Sequence, residues 1–171
     1  MLRRTLVFLG CVLALHTTAA QTSSPPGSGV VIRGDTSGAP SGCTVRDATR
    51  AIQRWFRAVA TGDSAAIVQV VAAPFVFSNG NFTPKDAFFA GRSIAELAVY
   101  ARRRSRAHEQ MTLSAVTINE WRGRKLEFYD VAFTRTADDL GSKPLQGIGK
   151  GEYECGRGLR VLNLAIDPRG R

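Results

Sequence analysis

The hydrophobic spacing of this chain changes period once, near residue 110, and that change limits the fold more than any other feature. Before it, Val45, Ala48, Ile52, Trp55, Phe56 and Val59 recur at helical spacing on one face, with Arg46, Arg50, Arg54 and Arg57 on the other. After it, apolar residues alternate with polar ones over 111–121 and 125–135, then over 147–155 and 159–166. The turns between these pairs are Arg122-Gly123-Arg124 and Gly156-Arg157-Gly158. Helices first and a four-strand meander last predict an α+β fold: three helices from the N-terminal half packed on the concave face of a curved antiparallel sheet.

Local signals punctuate the helical half. Thr44-Val-Arg-Asp47 and Ser93-Ile-Ala-Glu96 are capping boxes, in which a hydroxyl and an acid three residues later satisfy the free amides of a first turn. The first opens a helix that Gly62-Asp63 ends; a short second helix is expected over 64–72, stopped by Pro74, with a short strand at Phe75-Val-Phe-Ser78. Asn79-Gly80-Asn81 reads as a turn, and Thr83-Pro84-Lys85-Asp86 as one helical turn. The helix from Ser93 ends in Arg102, Arg103, Arg104 and Arg106, the sign that the helix dipole favours there.

The N-terminus reads as an address. Arg3 and Arg4 precede an apolar run of 11 residues over 5–15, and Thr18-Ala19-Ala20 offers small residues for cleavage near Ala20. Crossing a bilayer takes about 20 apolar residues, so 1–20 is expected to be a removable signal peptide and the rest a soluble, periplasmic or secreted protein with no transmembrane segment. Leu9-Gly10-Cys11 faintly resembles a lipoprotein acylation site, but apolar residues flank Cys11 on both sides. Residues 21–42 contain 13 Gly, Pro or Ser among 22, the composition of a flexible linker, which leaves 43–168 as the domain.

Loss of the leader changes three counts. Net charge falls from +9 to +7, because Arg3 and Arg4 leave with it; a field of that sign favours anionic ligands and surfaces. Without an aromatic-studded basic motif, nucleic acid is not an expected partner. Of three cysteines, Cys43 and Cys155 remain, and they are expected to bond, closing a loop worth roughly 4–5 kcal/mol at most. Neither lies in a CxxC pattern and one histidine, His108, remains with charged neighbours, so no metal site is expected. A hydrophobic fraction of 44% with nine Phe builds a core without any cofactor.

The segment Ala51-Ile-Gln-Arg-Trp-Phe-Arg-Ala-Val-Ala-Thr-Gly-Asp63, an amphipathic helix ending in Gly-Asp before a second helix and a strand, resembles the opening of ketosteroid isomerases. The element order extends the resemblance to the nuclear-transport-factor-2-like and SnoaL-like proteins, whose cystatin-like cone implies a largely apolar pocket and frequent homodimers. Their isomerases carry a Tyr where this chain has Trp55, a basic Asp where it has Asn79, and a second Asp near Gly149 or Lys150. Asn takes up no proton at neutral pH and an indole nitrogen only donates, so the proton shuttle does not carry over.

The candidate ligand pocket is Trp55, Asn79, Tyr100, Asp130 and Tyr153. Asp130, among Phe128, Tyr129, Val131 and Phe133, is a candidate acid or base if it faces the cavity, and a one-residue bulge decides its face. Arg102, Arg103 and Arg106 are candidate anion ligands. Gly147, Gly149 and Gly151 clear one strand face for a close neighbour, and Tyr153 and Cys155 are expected to point inward. Asn81-Phe82-Thr83 matches a glycosylation sequon. The leading expectation is an exported, non-catalytic domain that binds a small apolar or anionic molecule. The alternatives are a SnoaL-like isomerase, cyclase or hydratase using Asp130 with Tyr100 or Tyr129, and an envelope interaction or homodimerisation module.

Overall fold

The structure, a computed structural model, describes residues 29–80, 89–123 and 125–166. The expected signal peptide, the sequon and the helical turn at 83–86 lie outside the described residues. The elements are β1 (Val31–Arg33), α1 (Val45–Thr61), α2 (Ser64–Val70), β2 (Val71–Gly80), β3 (Phe89–Gly91), α3 (Ile94–Arg106), β4 (Gln110–Arg122), β5 (Lys125–Thr136), a 3-10 turn (Asp138–Leu140), β6 (Leu145–Glu154) and β7 (Gly158–Ile166).

Each helix begins where its cap dictates. Thr44 and Asp47 exchange backbone and side-chain hydrogen bonds at 3.0 and 3.1 Å to open α1, and Ser93 with Glu96 does the same for α3. Gly62 ends α1 with φ at 69°, where glycine escapes the Cβ penalty, and the Asp63 carboxylate then accepts from the amides of Ala65 and Ala66 to start α2.

The strands form one seven-stranded sheet in the order β1-β4-β5-β6-β7-β2-β3. The meander from β4 to β7 is antiparallel throughout, but β2 runs parallel to β7 and β1 parallel to β4, so the sheet is mixed where an antiparallel one was expected. Neither parallel pair is joined by a hairpin; α3 and the whole meander separate β2 from β7, so no tight turn forces them antiparallel.

Two stretches differ from the sequence reading. Within the expected linker, Val31–Arg33 pairs with 115–117 of β4, Val30 is buried, and a Cβ on Gly34 would meet that of Ile118 at 2.9 Å. Val30-Val31-Ile32 is the one β-branched run of that segment, which suits it to an edge strand. Asn79-Gly80 extends β2 and does not turn, because Asn79 pairs with Phe89 on one side and Leu164 on the other.

All three helices lie on one face of the sheet. The apolar stripe of α1, from Val45 to Val59, meets Phe75 and Phe77 of β2 and Phe133 of β5, and α3 adds Leu97, Tyr100 and Ala101. Helix and sheet thus each bury the face that their periodicity marks. The Cys43–Cys155 disulfide is present, with 4.6 Å between Cα atoms, and the Gly156 amide donates to the Gly42 carbonyl at 3.2 Å beside it. Together they fix the β6–β7 turn to the start of α1.

The alternating glycines of β6 serve the sheet itself. A Cβ on Gly147 would lie 2.2 Å from Cζ of Phe133, and one on Gly149 would lie 2.7 Å from Cδ2 of Leu164. Gly147→Ala should therefore lower the denaturant-derived stability by about 1–3 kcal/mol, whereas Lys150→Ala, on the exposed side of the same strand, should stay within about 0.5 kcal/mol. Equal stability of the two variants would show that the Phe133 ring does not occupy this place.

Candidate functional site

A chain of polar side chains runs through the interior, supplied by β2, α3, β5 and the segments flanking α3 and β5. Its inner end is aromatic. The Trp55 ring of α1 lies 5.3 Å from Phe75 and 4.9 Å from Phe77, and Phe77 lies 5.1 Å from Tyr100. Phe75, Phe77 and Asn79 are alternate residues of β2, so the period of the strand delivers two rings and one amide to the same buried face.

Asn79 and the Tyr100 hydroxyl are 2.7 Å apart. The amide is best placed with Oδ1 toward Tyr100 and Arg135, because the reverse sets amide N–H donors against guanidinium donors. Oδ1 then accepts from Tyr100 Oη at 2.7 Å and from Arg135 Nη1 at 3.1 Å. Arg135 Nη2 also donates to Glu109 Oε2 at 2.7 Å, and Arg104 Nε donates to the same oxygen. The other two Arg104 nitrogens form a fork on Asp139, at 2.7 and 2.8 Å.

The order of this chain follows from desolvation. Arg104, Glu109 and Arg135 are each 1% exposed or less, and a buried charge left alone costs several kcal/mol. Two guanidinium groups alternate with the carboxylates of Glu109 and Asp139, and Asp139 is half-exposed, so the chain is neutral and ends in water. Burial, with the nearby Glu109 charge, pushes the Tyr100 hydroxyl well above its ordinary pKa; the Arg104 fork holds Asp139 below the usual carboxylate range. Trp55 Nε1 and Glu109 Oε1 are among the buried atoms that have no hydrogen-bond partner among the described residues.

Of the residues expected to line the pocket, Trp55, Asn79 and Tyr100 belong to this group. Trp55 is 0% exposed and so lies at the bottom of the core and not at a pocket mouth. Tyr153 faces inward but sits elsewhere, in the wall of a cleft between α1 and the β6–β7 turn. Asp130 falls where the register of β5 against β6 slips by one residue, between the pairs Phe128–Gly151 and Val131–Gly149; its side chain, like that of Tyr129, lies outside the described residues. Arg102, Arg103 and Arg106 are exposed, whereas Arg104 of the same run is buried. His108 is exposed, with Nδ1 2.7 Å from Asp138 Oδ2.

The sequence reading missed Arg104, Glu109, Arg135 and Asp139. A signal existed for two of them: Leu97, Ala101 and Arg104 keep helical spacing along the buried side of α3, and Val131, Phe133 and Arg135 keep strand alternation. Reading arginine as surface by type hid both.

The pH dependence follows from these environments. Tyr100 has a raised folded pKa, so its contribution is complete below the ordinary tyrosine value of about 10 and is lost as pH rises above it. Asp139 has a lowered one, so its contribution is present above about 3.9 and is lost as pH falls below that. Denaturant midpoints measured across pH should flatten on the alkaline side in Tyr100→Phe and on the acid side in Asp139→Asn. Glu109→Ala, which removes the buried acceptor shared by Arg104 and Arg135, should cost about 3–5 kcal/mol at neutral pH, and a loss below about 1 kcal/mol would show that the ionic chain is solvated.

No protein-family model matches the chain, and no curated protein does. Solved structures do match in shape. A Xanthomonas campestris protein described as a calcium/calmodulin-dependent protein kinase II association domain is 15% identical, with a TM-score of 0.56 over 73% of this chain and 89% of its own. A Nostoc punctiforme protein of unknown function with a cystatin-like fold is 11% identical, with 0.54 over 70% and 88%. The epoxide hydrolase/cyclase-like enzyme SalBIII is 12% identical, with 0.51 over 73% and 94%. Helix order, the unclosed sheet and these likenesses agree: the chain has a cystatin-like α+β fold, with three helices on a mixed, unclosed sheet.

Proposed function

We propose that the protein is an exported, non-catalytic binder of a small, largely apolar molecule that carries one hydrogen-bond acceptor, held between α1, α3 and β2. The observation that carries this reading is the orphaned indole N–H of Trp55, fully buried among Phe75 and Phe77. A buried donor without a partner costs about 1–3 kcal/mol, and a carbonyl or carboxylate oxygen from a ligand would relieve it. The Phe75 and Phe77 rings beside it, with Tyr100 next to Phe77, offer apolar and stacking surface for the rest of such a molecule.

Catalysis is left out because Trp55, Asn79 and Tyr100 take up no proton near neutral pH, and Glu109 accepts from two guanidinium groups. Export rests on the N-terminal address and agrees with the Cys43–Cys155 disulfide; among the described residues no helix is long and apolar enough to cross a membrane. A second reading, an enzyme acting through Asp130, is favoured by the bulge at that position, since bulges re-aim side chains, and by the fold shared with SalBIII.

A thermal-shift screen of residues 21–171 with short fatty acids, aryl carboxylates and cyclic ketones tests the leading reading. A true ligand at a hundred times its Kd should add about 2.7 kcal/mol, a rise of several degrees. Trp55→Phe, which keeps an aromatic ring but removes the donor, should abolish most of that gain. If no compound of the three classes raises the midpoint, or if the gain survives in Trp55→Phe, the indole is not the ligand's partner.

A further inference from the structure

A concavity of about 210 Å3 lies between the polar face of α1, the end of α2 and the β6–β7 turn. Arg50 and Arg54, one helical turn apart on α1, line one side; Arg157 lines the other from the turn. Tyr153 closes the inner wall, near both Asp47 and Arg54. Three guanidinium groups therefore share the cleft with one carboxylate.

That carboxylate is already committed. Asp47 accepts from the Thr44 amide at 3.0 Å and the Thr44 hydroxyl at 2.6 Å, and its nearest approach to Arg50 is 3.9 Å. Arg157 touches Glu154 at 2.9 Å, but Glu154 is shared with Arg160 at 3.1 Å. The side chains of Arg50 and Arg157 are 60% and 58% exposed, so both can swing toward a ligand. Their separation is nonetheless bounded: the disulfide and the Gly156–Gly42 hydrogen bond tie the turn that carries Arg157 to the start of α1. A positive cleft whose two walls are cross-linked avoids part of the ordering cost of binding.

We infer that this cleft binds a small dianion, a phosphate ester or a dicarboxylate, through Arg50, Arg54 and Arg157. Guanidinium forks match both anions, the excess of cationic groups matches a double negative charge, and the volume is below the roughly 300 Å3 of drug-sized sites. The site is separate from the interior and stands whether or not the cone binds an apolar ligand. Because its arginines are exposed, binding weakens as salt is added.

Calorimetric and NMR titration of oxidised residues 21–171 at low ionic strength, with inorganic phosphate and separately with succinate, tests the inference. Saturable one-to-one binding is expected, with shifts at the Gly156 and Gly158 amides; tighter phosphate binding points to a phosphate ester and tighter succinate binding to a dicarboxylate. Arg54→Gln and Arg157→Gln should each weaken Kd at least tenfold, and Arg54→Lys should recover part of that loss. Lys143→Gln removes the same charge beyond the opposite end of β6 and should change Kd less than twofold. Equal weakening by all three glutamine variants would reveal only the general positive field, and the absence of saturation for both probes would overturn the site.

Discussion

Glu109 accepts hydrogen bonds from Arg104 and Arg135 in the dry interior, and that one carboxylate ties α3 to β5. Everything at the inner end of the polar chain depends on it. Arg135 is held so that it reaches Asn79; Asn79 in turn fixes the Tyr100 hydroxyl, and the Tyr100 ring packs on Phe77. Charges this deep are stable only as a complete set, since removing one leaves its partners without compensation. Ridge-and-groove packing of a helix on a sheet tolerates sliding, whereas a directional ionic chain does not. The chain thus sets the position of α3, and with it the aromatic layer that the proposed ligand would meet.

Much of the architecture was legible because helices and strands bury the faces that their spacing announces. The switch of period near residue 110, the two capping boxes and Gly62-Asp63 located α1, α3 and the meander to within a few residues. What local pattern does not encode is partnership between distant strands. The parallel pairing of β2 with β7 arises after the chain has crossed α3 and four strands, and the extension of β2 through Asn79-Gly80 requires neighbours on both sides. The short strand at Val31–Arg33 was hidden in a Gly, Pro and Ser background, where three β-branched residues carry little weight until β4 offers them an edge.

The site was less legible, for a reason that is physical. Trp55, Asn79 and Tyr100 were found through a resemblance and through inward periodicity, both of which survive in one dimension. Arg104, Glu109 and Arg135 escaped because a buried charge is intelligible only beside its counter-charge, and Glu109 and Arg135 are 26 residues apart in sequence. Tyr153 was correctly expected to face inward, yet strand parity cannot tell the middle of a cone from the end where a turn meets a helix. The arginines of α1 looked like a solvated face; only the cross-linked β6–β7 turn gives two of them an opposing wall.

The interior chain and the cleft also differ in what they demand of solvent. The first is stable because water is excluded from it, the second is reached from water and weakened by salt. Direct observation of the Arg104 and Arg135 Nε–H protons and the Trp55 indole proton, by solvent-exchange NMR at neutral pH, separates a dry ionic chain from a wet one. Exchange slowed by orders of magnitude relative to exposed Arg54, and accelerated at both arginines by Glu109→Gln, is the expected result. Exchange as fast as that of Arg54 would contradict the buried chain and the placement of α3 that depends on it.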